Sequence, residues 1–122
     1  MKAIPIVVLM GAAVALGVLL GVEYLRRVRS KPVIIGIHLL LGAGGLEVFA
    51  VLLRGTPDGE VMAPGLVGNA AAGLMFLAMF TGLIAPMVGR KSRRTMNVAL
   101  ATHASVASLG FLLLLAWVIR GA

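Results

Sequence analysis

The chain has 122 residues, of which 61% are hydrophobic and 12% charged, with a net charge of +7 and a mean hydropathy of +1.09. This composition lies far outside the soluble average and indicates an integral membrane protein. The sequence contains no cysteine, which excludes disulfides, iron–sulfur clusters and thiolate zinc sites. The basic residues cluster in two short segments between apolar runs, a pattern of membrane topology rather than of a nucleic-acid-binding face.

Four apolar segments follow one another along the chain, each about as long as the 20 residues that a membrane-spanning helix needs. The first, residues 3–24, follows Lys2 as the core of a signal peptide would. Its apolar part is too long for that role and no clear cleavage site follows, so we interpret it as a retained helix. The second segment, residues 32–53, begins at Pro32, which suits the first turn of a helix because its missing N–H costs nothing there.

The second half of the chain holds the other two segments. A turn predicted at residues 57–59 separates the halves, and the third segment covers residues 64–88. Pro86 is expected to bend or end that helix. The fourth segment covers residues 96–119, with Trp117 expected at the membrane interface.

The order of these segments predicts an all-α protein, an up-down-up-down four-helix bundle that forms one transmembrane domain over residues 1–122. Loops 25–31 and 89–95 carry eight of the eleven Lys and Arg residues. The positive-inside rule therefore predicts that both loops face the cytoplasm and both termini lie outside, as in the inner membrane of a prokaryote.

The two halves of the chain align when the first is shifted by 65 positions. The shift places His38 on His103, Gly45 on Gly110, Arg29 on Arg94 and Gly17 on Gly82. Two tandem helical hairpins related by an axis along the membrane normal would form a parallel repeat, with a pseudo-twofold site between them.

The only two histidines of the chain, His38 and His103, lie in the second and fourth segments. Each follows its aligned arginine by nine residues, so both enter the membrane by roughly 10 Å from the same side. Because alternate helices of a bundle face each other across its core, we expect the two imidazoles to meet at one depth. Imidazoles that approach from opposite faces are the axial ligands of a bis-histidine haem.

Small residues one and two turns beyond the histidines would let the helix backbones approach a porphyrin; these are Gly42 and Gly45, and Ala107 and Gly110. The cations nearest to this depth, which would pair with the haem propionates, are Lys31, Arg29 and Arg94. The alternative is structural, because intramembrane histidines also hydrogen-bond neighbouring helices and small residues also serve helix packing.

Glu47 is a second polar residue inside an apolar segment. It lies nine residues beyond His38, about half a turn around the helix, and so points away from the expected haem face. Proton uptake, contact with a quinone and an interhelical hydrogen bond are the roles that the sequence leaves open for it.

With His38 followed by the GAGG run at 42–45, and His103 by a run of small residues to Gly110, the chain resembles the bis-histidine membrane cytochromes b. These four-helix haem proteins serve redox enzymes as anchors or electron conduits. The resemblance implies one haem b with His38 and His103 as axial ligands of its iron. It also implies an electron-transfer subunit, rather than a complete enzyme, within a larger respiratory or photosynthetic complex that handles quinone or passes electrons to a neighbour.

Two other classes of membrane protein fit the length. A cofactor-free accessory subunit would use the glycine-rich faces to pack against a larger complex. A small multidrug-type exporter also has four helices, but such transporters carry a glutamate embedded in the first helix, whereas Glu23 lies at its loop end.

Overall fold

The structure, a computed structural model, describes residues 3–54 and 64–121. It contains four α-helices, which are α1 (Ile4–Leu25), α2 (Pro32–Arg54), α3 (Gly65–Val88) and α4 (Arg93–Gly121). All four are long and apolar enough to cross a membrane. The predicted all-α, four-span architecture is therefore confirmed, while the predicted turn at 57–59 lies outside the described residues.

The α1–α2 turn is fixed by the backbone at the end of α1. The N–H of Val28 donates to the carbonyl of Glu23 at 2.9 Å, and the N–H of Arg27 donates to that of Tyr24 at 3.1 Å. Arg27 adopts a φ of 57°, the left-handed conformation that closes this type of helix end. The short turn returns the chain as an antiparallel helix.

Helix α4 begins three residues before the start expected near residue 96. The hydroxyl of Ser92 accepts a hydrogen bond from the N–H of Thr95 at 3.1 Å, so Ser92 caps a helix that begins at Arg93. The prediction counted this polar first turn as loop because it is not apolar. At the end of α3, the helix continues two residues past Pro86, to Val88.

The helices pack as two antiparallel hairpins that lie side by side. The most extensive contacts join α1 to α2 and α3 to α4, while smaller contacts join α2 to α3 and α1 to α4. Helices α2 and α4 therefore occupy one diagonal of the bundle. We call the end that carries loop residues 26–31 and 89–92 the basic end.

The buried residues repeat with the 65-residue offset found in the sequence. The pairs in which both members are buried are Ile6 and Ala71, Met10 and Met75, Ala13 and Ala78, Gly45 and Gly110, Phe49 and Leu114, and Leu52 and Trp117. Corresponding positions of the two hairpins thus fill corresponding places in the core. The fold consists of two tandem hairpins with the same pattern of burial.

Trp117 packs in the core of the bundle, and its level in the membrane stays a prediction. Its side chain is only 5% exposed and packs on Phe49 with ring centroids 5.2 Å apart. Gly68 makes room for it, because a Cβ atom added there would lie 2.8 Å from Trp117 Nε1. Many other large apolar side chains, among them Leu40, Leu66 and Phe76, point outward, as lipid contact requires.

A polar contact ties α1 to α4 at the basic end. The hydroxyl of Tyr24 donates to Oδ1 of Asn97 at 2.6 Å, and the guanidinium of Arg93 lies 4.8 Å from the centroid of the tyrosine ring. The two hairpins are thereby joined at the level where their basic loops lie.

Candidate functional site

The two histidine rings meet across the α2–α4 diagonal. The ring centroids of His38 and His103 are 6.2 Å apart and the ring planes are 89° to each other. Both side chains are half-buried. The two residues, hereafter the histidine pair, therefore lie together between the hairpins.

A backbone carbonyl of the partner helix fixes the ring of His38. Its Nδ1 lies 2.8 Å from the carbonyl oxygen of Ala13 in α1. Gly17, one turn further along α1, lets the ring approach, because a Cβ atom there would lie 3.0 Å from His38 Cε1. The ring is held between a hydrogen bond on one atom and a bare helix backbone beside the next.

The second hairpin holds His103 in the same way. Its Nδ1 lies 2.6 Å from the carbonyl oxygen of Ala78 in α3, and a Cβ atom at Gly82 would lie 2.8 Å from its Cε1. The hydroxyl of Thr81 lies 3.4 Å from the same Nδ1. All three contributors to each ring site, histidine, carbonyl and glycine, are related by the 65-residue offset.

These hydrogen bonds determine which nitrogen of each ring carries the proton. A carbonyl oxygen only accepts hydrogen bonds, so Nδ1 of each imidazole must be the donor. In the neutral ring the lone pair is then on Nε2, the nitrogen left for a further partner. Histidines that bind metals characteristically donate their other N–H to a carbonyl or carboxylate in this manner.

The spacing of the histidine pair suits two ligands of one metal ion. Two imidazoles on opposite sides of one ion have ring centres about 6 Å apart, because each metal–nitrogen bond is about 2 Å. Among residues 3–54 and 64–121, no group of three or more His, Asp and Glu side chains is placed to hold a metal ion. Within those residues, the histidine pair therefore supplies two nitrogen ligands and no third protein ligand.

The predicted small residues divide into two groups. Gly42 has no atom within 4 Å of an added Cβ, so there is open space one turn from His38. Gly45 and Gly110 instead lie within the hairpins. A Cβ atom at Gly45 would lie 2.8 Å from Met10 Sδ, and one at Gly110 would lie 3.1 Å from Leu74 Cβ. Those two glycines serve close helix packing in this structure.

The other predicted contributors lie further from the rings. Ala107 is half-buried on α4, while Arg29, Lys31 and Arg94 are exposed at the basic end. Arg94 lines an open cleft of about 390 Å³ together with Val88, Thr95, Val98 and Ala99. The structure does not bring these cations to the histidine pair, and their pairing with propionates stays a prediction.

Glu47 lies on the outward surface of α2. Gly45 and Phe49, two residues before and after it, are both buried, so the exposed Glu47 projects from the opposite side of the helix. It points away from the histidine pair, as its position in the sequence predicts. Proton uptake or quinone contact by Glu47 would take place at the lipid-facing surface.

The sequence analysis missed the carbonyls of Ala13 and Ala78 and did not assign Gly17 and Gly82 to the site. Backbone acceptors have no signature of their own in a sequence. The alignment of the halves did pair Gly17 with Gly82, and the same shift pairs Ala13 with Ala78. The 65-residue alignment is therefore the sequence feature that could have identified these four residues as part of the site.

Comparisons of the chain with protein-family models, curated proteins and solved structures found no match.

Proposed function

We propose that the protein is a membrane cytochrome that holds one haem b between its two hairpins, with His38 and His103 as the axial ligands. The observation that carries this proposal is the histidine pair itself. Its rings are 6.2 Å apart, and each is anchored through Nδ1 to a backbone carbonyl, which leaves Nε2 of each ring for a further partner. A hydrogen bond to the neighbouring helix accounts for each histidine taken alone, and the close approach of the two rings, 6.2 Å between centroids, is what favours a shared ligand.

A haem iron held here would accept and release one electron, and the chain's own residues would determine what else it can do. His38 and His103 would both ligate the iron, so the chain would hold it for electron transfer rather than for binding oxygen or carbon monoxide. Their carbonyl partners would hold the imidazole planes and raise the basicity of the ligand nitrogens. The open space at Gly42 would admit the edge of a flat cofactor next to His38.

The chain would then act as an electron-transfer subunit of a larger membrane redox complex, with quinone or a neighbouring subunit as its redox partner. The two basic loops support a location in a prokaryotic inner membrane, with these loops in the cytoplasm and both termini outside. Arg29, Lys31 and Arg94 at this end would be the nearest cations for the propionates.

The test is the reduced-minus-oxidised optical spectrum and the haem stoichiometry of the protein purified from its own membrane. We expect about one haem per chain with a low-spin spectrum and little reaction with carbon monoxide. His38→Ala and His103→Ala should each give high-spin or weakly held haem, and the double variant should give none. Insertion should be unaffected, because alanine is at least as compatible with a membrane helix as histidine.

Thr102→Ala is the matched control. Thr102 precedes His103 but hydrogen-bonds only to the Val98 carbonyl of its own helix, at 2.8 Å, so its removal should leave the spectrum unchanged. A wild-type low-spin spectrum in the double histidine variant would contradict the ligand assignment. Natively purified wild type without haem would contradict the cytochrome assignment and favour a cofactor-free accessory subunit.

A further inference from the structure

The open cleft of about 390 Å³ lies between α3 and α4 at the basic end. Val88, the last residue of α3, forms one side, and the first two turns of α4 form the other, through Arg94, Thr95, Val98 and Ala99. Arg94 and Thr95 lie next to the loop, while Val98 and Ala99 lie one turn further along the helix. The cleft is therefore polar next to the loop and apolar towards the middle of the bundle.

Arg94 lies on the side of α4 that faces away from the histidine pair. His103 follows it by nine residues, which places the two side chains on opposite sides of the helix. Val98 lies one turn after Arg94 on the same side and is 61% exposed. The cleft is thus open to the surroundings of the bundle and separate from the site proposed for haem.

The guanidinium of Arg94 has no anionic partner among residues 3–54 and 64–121, where it makes neither an ion pair nor a hydrogen bond. The other parts of the chain do not supply one. They adjoin the far ends of the four helices, about 30 Å from the cleft. Residues 55–63 are fixed at both ends to α2 and α3, so even a fully extended chain of this length does not reach the basic end.

The charges around the cleft are of one sign. Loops 25–31 and 89–95 carry eight Lys and Arg residues, and Glu23 is the acidic residue that adjoins them. The Oε2 atom of Glu23 is buried without a hydrogen-bond partner in the described part of the chain, so this carboxylate is not directed to Arg94. Arg93 already lies over the ring of Tyr24. An anion that pairs with Arg94 must therefore come from outside the chain.

The internal repeat also distinguishes the second hairpin. With the 65-residue shift, the counterpart of Arg94 is Arg29 and that of Val88 is Glu23. The first hairpin thus carries a carboxylate where the second carries an apolar side chain beside a cleft. Arg94 lies in the first turn of α4, which contains no acidic residue, and the free N–H groups of a helix start attract an anion as the guanidinium does.

We propose that the cleft binds one anionic phospholipid, with its phosphate at Arg94 and Thr95 and an acyl chain along Val98 and Ala99. The guanidinium can donate two parallel hydrogen bonds to phosphate oxygens. The apolar part of the cleft buries part of the acyl chain, which distinguishes a lipid from free phosphate. Basic pockets between membrane helices bind anionic head groups in this way. The proposal does not depend on haem, and it leaves Arg29 and Lys31 for the propionates.

The test is lipid retention by the delipidated full chain, measured by native mass spectrometry in mild detergent. Dioleoylphosphatidylglycerol and dioleoylphosphatidylcholine are added in separate titrations. We expect one phosphatidylglycerol per chain, bound about fivefold more tightly than phosphatidylcholine. Arg94→Gln should weaken phosphatidylglycerol binding about tenfold or more, the effect of losing hydrogen bonds to a charged group. Arg94→Lys keeps the charge and should weaken it less.

Arg90→Gln is the matched control, because it removes one charge from the same loop but no side chain that lines the cleft. It should weaken lipid binding far less than Arg94→Gln. Ala99→Phe keeps every charge and should weaken binding by filling the cleft. Equal losses in the Arg90 and Arg94 variants would show a general attraction of lipid to the basic loops and overturn the proposal.

Three other results would also overturn it. One is a wild type that binds the two lipids equally. Another is displacement of phosphatidylglycerol by an equal concentration of inorganic phosphate, which would make this a site for the free ion. The third is an Arg94→Gln protein that loses haem but keeps phosphatidylglycerol, which would assign Arg94 to a propionate.

Discussion

Each imidazole of the histidine pair is oriented by backbone atoms of the neighbouring helix. The carbonyls of Ala13 and Ala78 hold Nδ1, and the bare backbones at Gly17 and Gly82 lie beside Cε1. Backbone atoms of a helix move little, so the direction of each Nε2 lone pair is set by the packing of the hairpin. Substitution of Gly17 or Gly82 by a larger residue would change the direction of the Nε2 lone pair while leaving the imidazole itself unaltered.

We predict that Gly17→Val and Gly82→Val lower haem content by about tenfold or more, the range found when outer partners of metal ligands are removed. The added Cβ would lie 3.0 Å from Cε1 of His38 or 2.8 Å from that of His103, so the ring must shift away from its position beside the helix backbone. Haem per chain in the purified variants measures the effect. Gly21→Val, where no atom lies within 4 Å of the added Cβ, is the control. Equal haem content in all three variants would show that these glycines do not position the ligands.

At the scale of the helices, related contacts join the two helices within each hairpin. Met10 in α1 lies against Gly45 in α2, and Met75 in α3 lies against Gly110 in α4. A methionine side chain over a glycine fills the seam while the backbones stay close. The glycines predicted to make room for a porphyrin therefore contribute to the stability of each hairpin.

We predict that Gly45→Leu destabilises the protein by about 1–3 kcal/mol, because the new side chain overfills a packed seam. Its Cβ alone would lie 2.8 Å from Met10 Sδ. Gly44→Leu, at the neighbouring open position, adds the same atoms and is the control for helix propensity. Reversible unfolding in mixed micelles measures the difference. If Gly45→Leu left the stability unchanged but abolished haem binding, Gly45 would belong to the haem site and not to the helix packing.

The elements show what sequence could and could not predict. The four spans and the facing histidines follow from hydrophobicity, helix rise and depth, which act along one helix at a time. The seam partner of Gly45 and the burial of Trp117 depend on how two helices rotate against each other. Side chains that face lipid and side chains that face the core are both apolar, so hydropathy does not distinguish them. Only the internal repeat carried rotational information, through its matched glycines and alanines.

At the scale of the whole molecule, the up-down-up-down order of the helices brings both basic loops to one end. Parallel α1 and α3 end there, and the contact of Tyr24 with Asn97 and Arg93 joins the hairpins at that level. The charge asymmetry between the two ends is therefore a property of the folded bundle as well as of the sequence. This charge asymmetry determines the orientation of the molecule in the membrane. It therefore also determines which membrane surface lies nearer to the histidine pair.

We predict that Ser30 and Ser92 face the cytoplasm and that Gly59 faces the opposite side. Lys and Arg in short loops are retained on the cytoplasmic side during insertion, and both basic loops act in the same direction here. Since the chain has no cysteine, single substitutions Ser30→Cys, Ser92→Cys and Gly59→Cys can each be labelled in intact cells with a membrane-impermeant maleimide. Only the Gly59→Cys protein should react before the cells are opened, and all three should react afterwards. Labelling of the first two in intact cells would reverse the orientation and place the histidine pair nearer the outer surface.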